Sequence, residues 1–72
     1  DSTVALISNN SSVSTNTAYY QSYYTIRGWT NDTTHVDKSG TTLVFRNSSQ
    51  EANLVIKELF GATQIVINTV ER

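Results

Sequence analysis

The chain has 72 residues, no cysteine and a formal net charge of −1 at neutral pH. A chain of this length forms one domain at most and buries only about 60% of its unfolded surface, which leaves little room for an enclosed active site. The near-neutral charge argues against nucleic-acid binding, which needs a basic face. Without cysteine there is no disulfide framework and no cysteine-based zinc site.

The first half of the chain predicts a strand, a helix and a second strand. The apolar run Thr3–Ser8 ends in Asn and Ser residues, a pattern typical of a strand buried on both faces. The segment Thr15–Arg27 predicts a helix that Ser14 or Thr15 caps and that Gly28 ends. Its inner face at helical spacing consists of Val13, Thr17, Tyr20 and Tyr24. The Thr-rich, polar segment Trp29–Val36 predicts a bent strand at a sheet edge.

The second half predicts a turn, a strand, a second helix and a last strand. A turn over Asp37–Gly40 leads into the strand Thr41–Arg46, whose apolar centre indicates burial on both faces. Ser48 and Glu51 have the spacing of a capping box and predict a helix that ends before Gly61. Its apolar stripe consists of Ala52, Val55, Ile56 and Leu59, and the final strand spans Gln64–Val70.

This order predicts an α+β fold, a small β-α-β-β-α-β two-layer sandwich of the ferredoxin-like or a similar type. Right-handed crossovers place both helices on one face of the sheet. The two apolar strands, first and third in the chain, then take the central positions. We expect one core that contains Leu6, Val44, Val55 and Leu59. Because the chain begins at Asp1 without a signal-peptide pattern, we expect residues 1–72 to be a single domain excised from a larger protein.

Several of these segments together resemble the C-terminal domain of LytR-CpsA-Psr proteins of the bacterial cell envelope. In the first half, the matching residues are Val4–Asn9, Val13, Ala18 and Gly28-Trp29. In the second half, they are Thr42-Leu43-Val44-Phe45, Glu51-Ala52, Leu59 and Gly61. The chain departs from the family pattern where Asn10 and Ser12 replace glycines, and where tyrosines replace small and aliphatic residues in the first helix.

The resemblance implies a non-catalytic accessory module of a cell-wall assembly protein, extracytoplasmic and anchored to the membrane through a region outside this chain. Its partner would be a cell-wall polymer, such as wall glycan, or an envelope protein, and no cofactor is implied. The alternative is a structural spacer or an oligomerisation domain that pairs through a sheet edge. RNA binding ranks lower because Phe45 is the only aromatic residue on the predicted central strands.

An enzyme is the least favoured class, because the residues that catalysis needs do not cluster in the sequence. His35 is the only histidine, and its predicted neighbour at strand spacing is Asp37, which indicates a weak surface pair. There is no G-x-S-x-G elbow and no glycine-rich phosphate loop. We therefore predict no catalytic residue and no metal site.

The candidate binding residues surround the turn before the first helix and one face of that helix. Tyr19 and Tyr23 lie on a face different from that of Tyr20 and Tyr24, and would supply flat apolar area if exposed. The turn adds side-chain donors and acceptors from Asn9, Asn10 and Ser12. Backbone N–H groups of the turn and of the helix N-terminus could bind a carboxylate or a sugar hydroxyl. The alternative interpretation is that all four tyrosines pack at the edge of the core.

Overall fold

A computed structural model describes residues 1–72 and contains one helix and one five-stranded sheet. The elements in chain order are β1 (Ser2–Asn9), α1 (Val13–Ile26), β2 (Thr30–Asp37), β3 (Gly40–Arg46), β4 (Gln50–Leu59) and β5 (Ala62–Glu71). The strand order across the sheet is β1-β5-β4-β3-β2, and every neighbouring pair is antiparallel. The α+β class predicted from the sequence is confirmed at this level.

The helix forms where the sequence predicts it and begins slightly earlier. The predicted cap is wrong: Ser14 and Thr15 lie inside the first turn, and Ser12 is the N-cap, whose hydroxyl accepts a hydrogen bond from the backbone N–H of Thr15 at 3.0 Å. Gly28 follows the helix with a φ of +86°, the left-handed geometry that glycine adopts without steric cost. Tyr20 and Tyr24 of the predicted inner face are buried, whereas Val13 and Thr17 are only half-buried.

The core lies between α1 and the middle of the sheet. Tyr24 stacks on Phe45 of β3, with ring centroids 4.5 Å apart and planes inclined by only 12°. Such offset aromatic pairs contribute beyond the apolar area they bury. The buried apolar residues are Tyr20, Tyr24, Leu43, Phe45, Ala52, Leu54, Ile56 and Ile65.

The predicted second helix is wrong, since its residues form β4. The segment from Ala52 to Ile56 satisfies two periodicities, because Ala52, Leu54 and Ile56 alternate as well as fitting part of a helical stripe. All three side chains are fully buried on one face of β4, between β3 and β5. Tertiary pairing on both sides therefore decides the conformation. The predicted capping box is replaced by a turn in which Asn47 Oδ1 accepts the N–H groups of Ser49 and Gln50.

The ferredoxin-like topology is wrong for the same reason, and the positions of two strands and the burial of a third change with it. β1 lies at a sheet edge instead of the centre, whereas β5 lies between β1 and β4. β3 is buried on one face only, so that its residues alternate between buried and half-buried. The position of β2 at the other edge agrees with the prediction.

The predicted core set is also wrong, because its members point away from the helix. Leu6, Val55 and Leu59 are 67%, 39% and 36% exposed, respectively. Val44 is half-buried on the face opposite α1. The helix packs mainly on β2, β3 and β4 and leaves β1 at the fringe of the covered area.

The β4–β5 turn holds an exposed aromatic residue in an unfavourable conformation, which gives a stability prediction. Phe60 and Gly61 both have positive φ, 53° and 80°, as a type I′ hairpin turn requires. Phe60 is fully exposed, so no burial of its side chain compensates for the unfavourable backbone conformation. Because asparagine tolerates this geometry better, we expect Phe60→Asn to raise the unfolding free energy by about 1 kcal/mol in urea titrations.

A matched control for that prediction is Ile26→Asn. Ile26 is also an exposed apolar residue, at 80%, but it has an ordinary negative φ. It should therefore show no gain in stability. Equal gains at both positions would mean that removal of surface apolar area, and not backbone geometry, produces the effect.

Candidate functional site

The five predicted binding residues lie near one another but do not form a single site. Asn9 and Tyr19 border one shallow depression between the end of β1 and the helix. Asn10 and Ser12 border a second depression, on the other side of the turn, together with Glu58, Gly61 and Thr63. Tyr23 borders neither of them.

Asn9 is held by hydrogen bonds within the chain. Its amide pairs reciprocally with that of Asn16, through Nδ2–Oδ1 distances of 2.9 and 3.0 Å. Asn9 Oδ1 also accepts the backbone N–H of Ser11 at 3.0 Å. Asn16 is only 4% exposed and donates to the carbonyl oxygen of Ser12 at 2.9 Å. The pair thus fixes the turn before α1, which leaves Asn9 little capacity for a ligand.

Sequence reasoning missed Asn16, although a signal for it was present. Asn16, Tyr20 and Tyr24 are spaced four residues apart, so they share the inner face of the helix. A polar residue on that face must find a buried partner. The nearest side-chain amide in the preceding strand is that of Asn9, at its end.

Tyr19 and Tyr23 form a partly exposed aromatic pair on the outer side of α1. Their rings stack at a centroid distance of 6.2 Å, and they are 59% and 36% exposed. The Arg27 guanidinium lies 3.6 Å from the centroid of the Tyr23 ring and therefore covers one of its faces. Of the four tyrosines, Tyr19 thus offers the most exposed ring. Burial raises the pKa of the Tyr20 and Tyr24 hydroxyls, in accord with their inner position.

An acidic residue, Glu58, lies beside the turn before the helix. Glu58 borders both the depression at Asn10 and Ser12 and a third one next to the turn Asp37–Gly40. A carboxylate in this position opposes the approach of an anionic ligand and complements the positive end of the helix dipole. The turn is therefore better suited to uncharged hydroxyl groups than to a ligand carboxylate.

His35 and Asp37 form the surface pair that the strand spacing predicts. His35 Nε2 lies 3.2 Å from Asp37 Oδ2, with side chains 68% and 49% exposed. Hydrogen bonds from the hydroxyl and backbone N–H of Ser39, and then from His35, lower the pKa of Asp37. No group of three or more His, Asp or Glu side chains is arranged to hold a metal ion.

A charged network joins the strands at the β2 side of the sheet. Arg46 donates to Asp32 at 2.7 Å and to Glu51 at 2.8 Å. Hydrogen bonds from Asn53 and from Arg46 lower the pKa of Glu51. The network links β3 to both of its neighbours.

These lowered carboxyl pKa values predict how stability depends on pH. A carboxyl group with a lowered folded-state pKa stabilises the fold above its unfolded pKa, and this contribution is lost as pH falls through the folded value. We therefore expect the midpoint of thermal unfolding to fall as pH drops below the ordinary values of 3.8 for Asp37 and 4.5 for Glu51. The double variant Asp37→Asn with Glu51→Gln should have a flatter profile below about pH 5. An unchanged acid slope would show that other carboxyl groups cause the loss.

The outer side of β1 presents unpaired backbone groups that sequence reasoning did not locate. The Glu71 N–H donates to the Asp1 carbonyl oxygen, and the register pairs Ser2 with Val70. Because antiparallel residues alternate in the direction of their hydrogen bonds, the odd-numbered residues of β1 bond to β5 and the even-numbered ones point outward. We call these outward groups the β1 edge: the N–H and C=O of Ser2, Val4, Leu6 and Ser8.

The β1 edge lacks the features by which natural sheets discourage pairing, whereas the opposite edge has them. From Ser2 to Asn9, β1 contains no charged residue and no proline, and its register with β5 is unbroken. β2 carries Asp32, His35 and Asp37, and its register shifts between Asn31 and Thr33. Charges and bulges protect an edge from strand addition. Only the β1 edge is therefore open to it.

An apolar stripe runs inward from the β1 edge on the face opposite the helix. Leu6 is paired with Val66, and Val66 with Val55, so that three apolar side chains lie in one row across three strands. They are 67%, 36% and 39% exposed, respectively. Val4, 69% exposed, lies beside Leu6 on the same face of β1. A strand added at this edge would extend the stripe.

No known protein family, curated protein or solved structure matches this chain. The one helix lacks the length and apolar content needed to cross a bilayer.

Proposed function

We propose that this chain is a non-catalytic interaction module that binds an extended segment of a protein partner by adding it as a sixth strand at the β1 edge. The observation that carries the proposal is the contrast between the two sheet edges. β1 is uncharged, regular and exposed on its outer side, whereas β2 is charged and bulged. In strand addition, main-chain hydrogen bonds supply affinity and alternate side chains supply specificity.

The β1 edge supplies both of these terms. Each outward residue offers one N–H donor and one C=O acceptor. In the free chain water bonds to these groups, and a partner strand would displace that water. Val4 and Leu6 point to the open face, where they would pack against alternate apolar side chains of the added strand. The preferred partner segment is therefore extended, uncharged at its centre and apolar at every second residue.

The proposed context is a larger bacterial envelope protein, outside the cytoplasm, as the resemblance to the LytR-CpsA-Psr C-terminal domain implies. Support comes from the first half of the chain. Val4–Asn9 lie on a strand, Val13 begins the helix, and Gly28-Trp29 follow its end. The second half departs from the family pattern, because β4 occupies the place of its second helix. The context therefore rests on the first half alone.

A peptide-display selection with the intact 72-residue chain tests the interaction. We expect random extended peptides selected on the chain to alternate apolar and polar residues, and to lose binding to the Leu6→Pro variant. Proline removes an outward N–H without breaking the ladder to β5, so the fold should persist. Val36→Pro on β2 is the control at the other edge and should bind normally. Peptides that bind Leu6→Pro as well as the unmodified chain would contradict the proposal.

A second candidate function is glycan binding by the outer face of α1. It is favoured by the exposed Tyr19 ring beside the depression that Asn9 borders, since sugar faces stack on aromatic rings. Asn10, Ser12 and Tyr23 do not border this depression, so the candidate site is limited to Tyr19 and Asn9. We expect peptidoglycan fragments to shift the amide resonances of Tyr19 and of the turn Asn9–Ser12, and Tyr19→Ala to abolish these shifts. If glycans move no resonance, or only resonances elsewhere, this candidate is wrong.

A further inference from the structure

We infer that the partner at the β1 edge is a second copy of this chain, which pairs antiparallel with β1 about a two-fold axis centred on Ala5. This inference rests on the proposed function and specifies its partner. In this register, Val4 of one copy faces Leu6 of the other, and Ser2 faces Ser8. The paired sheets would form one continuous ten-stranded sheet from two five-stranded ones.

The register follows from the direction of the free backbone groups. Hydrogen-bonded pairs at the new junction can form only between outward-pointing residues, which are the even-numbered residues of β1. Centring on Ala5 joins every one of them to a partner. Centring on Val4 or on Leu6 would leave Ser8 or Ser2, respectively, without one. The Ala5 register therefore satisfies the most backbone groups.

The side chains of β1 are compatible with those of a second β1 across the two-fold axis. β1 has no charge between Ser2 and Asn9, so a two-fold axis brings no like charges together. The pairing of Val4 with Leu6 occurs twice, on the open face, where both side chains are largely exposed in the single chain. Because the axis is perpendicular to the sheet, the stripe of Leu6, Val66 and Val55 continues into that of the second copy.

The other edge explains why pairing stops at two copies. Head-to-tail contact of β1 with β2 of another copy would leave a free edge at each end and generate an open filament. The charges and the bulge of β2 oppose that contact. Pairing of β1 with β1 uses the only unprotected edge of each copy, so the assembly closes as a dimer.

Single-cysteine variants test the register, because the natural chain has no cysteine. Ala5 faces itself as a non-hydrogen-bonded pair, with Cα atoms about 4.5 Å apart, within the range that disulfides span. We expect Ala5→Cys to form a disulfide-linked dimer under mild oxidation at least ten times faster than Val36→Cys. Thr3→Cys and Ile7→Cys should crosslink slowly alone and rapidly when mixed. Faster self-crosslinking at Thr3 or Ile7 than at Ala5 would overturn the register.

Sedimentation equilibrium tests the assembly without oxidation. The unmodified chain should show a concentration-dependent monomer–dimer equilibrium, which Leu6→Lys weakens at least tenfold. Val36→Lys is the matched control, since Val36 and Leu6 are equally exposed at 67% on opposite edges, and it should leave the equilibrium unchanged. Circular dichroism of each variant verifies that the fold is retained.

These experiments distinguish a failure of the self-pairing inference from a failure of the proposed strand addition. A chain that stays monomeric at every concentration, yet binds displayed peptides that Leu6→Pro rejects, would overturn self-pairing and leave the proposed function intact. A monomer that binds no extended peptide at β1 would overturn both. A dimer that neither Leu6→Lys nor Leu6→Pro weakens would place the contact elsewhere and overturn the inference.

Discussion

Phe45→Ala is expected to lower the unfolding free energy by about 3–5 kcal/mol, as removal of a buried aromatic side chain typically does. Phe45 is fully buried, stacks on Tyr24 and joins the helix to the centre of the sheet. At roughly 0.05–0.15 kcal/mol per residue, a small domain has little stability to lose. Much of the variant should be unfolded at 37 °C, as measured by circular dichroism and urea titration.

Phe45→Leu is the matched control for this prediction. Leucine keeps most of the buried apolar volume but loses the aromatic contact, so we expect a smaller loss, of about 1–2 kcal/mol. A loss below about 1 kcal/mol for Phe45→Ala would show that the helix does not pack on β3 as described.

Gly40→Ala is expected to cost about 2–4 kcal/mol, because both the backbone and the space around it require glycine. Gly40 has a φ of +143°, which L residues with a side chain rarely adopt. A Cβ there would overlap the backbone carbonyl of Ile56 and come within 2.9 Å of Lys57 Cβ. The carbonyl group belongs to the neighbouring strand β4 and cannot move without loss of the β3–β4 ladder. Urea titration monitored by circular dichroism measures this cost.

Gly61→Ala measures the stability cost of the left-handed backbone conformation alone, without the steric overlap present at Gly40. Gly61 also has a positive φ, +80°, but no atom lies within 4 Å of the position that a Cβ would take there. Its substitution should therefore cost only the left-handed strain, about 1–2 kcal/mol. Equal losses at Gly40 and Gly61 would contradict the close approach of β4 to Gly40.

The sequence predicted the first helix and the turn after β2 because their signals are local. Gly28 and the spacing of Tyr20 and Tyr24 specify the helix without reference to the rest of the chain, although its N-cap is Ser12 and not the predicted Ser14 or Thr15. The turn at Asp37–Gly40 likewise depends on the Asp37 side chain, which accepts the N–H of Ser39 at 2.8 Å. Such short-range bonds can be anticipated from residue type.

The second helix could not be excluded from the sequence, because its residues match two periodicities. Ala52, Ile56 and Leu59 fit a helical stripe, whereas Ala52, Leu54 and Ile56 fit a strand. The choice depends on pairing with β3 and β5, which involves residues distant in the sequence. The β1 edge was missed as a consequence, since β1 reaches the edge only when β4 and β5 form a hairpin.

The fold brings only some of the predicted binding residues together, because burial of Asn16 requires a hydrogen-bond partner. A buried amide such as Asn16 must be satisfied, and the side chain of Asn9 is consumed in satisfying it. The exposure of Tyr19 follows from the burial of Tyr20 and Tyr24, because a helix that packs one face on the sheet turns the other toward solvent. Exposure alone does not make Tyr19 a binding residue, so glycan binding ranks second among the candidate functions.

Amide hydrogen exchange across β1 is the most direct test of strand addition at the β1 edge. In dilute solution, we predict fast exchange at Val4 and Leu6, which point outward, and slow exchange at Thr3, Ala5 and Ile7, which bond to β5. Addition of an extended peptide selected on the chain, or an increase in protein concentration, should slow exchange at the outward residues Ser2, Val4, Leu6 and Ser8 and leave Thr3, Ala5 and Ile7 unchanged. Uniform exchange along β1 in dilute solution, or no change at Val4 and Leu6 under either condition, would contradict strand addition at this edge.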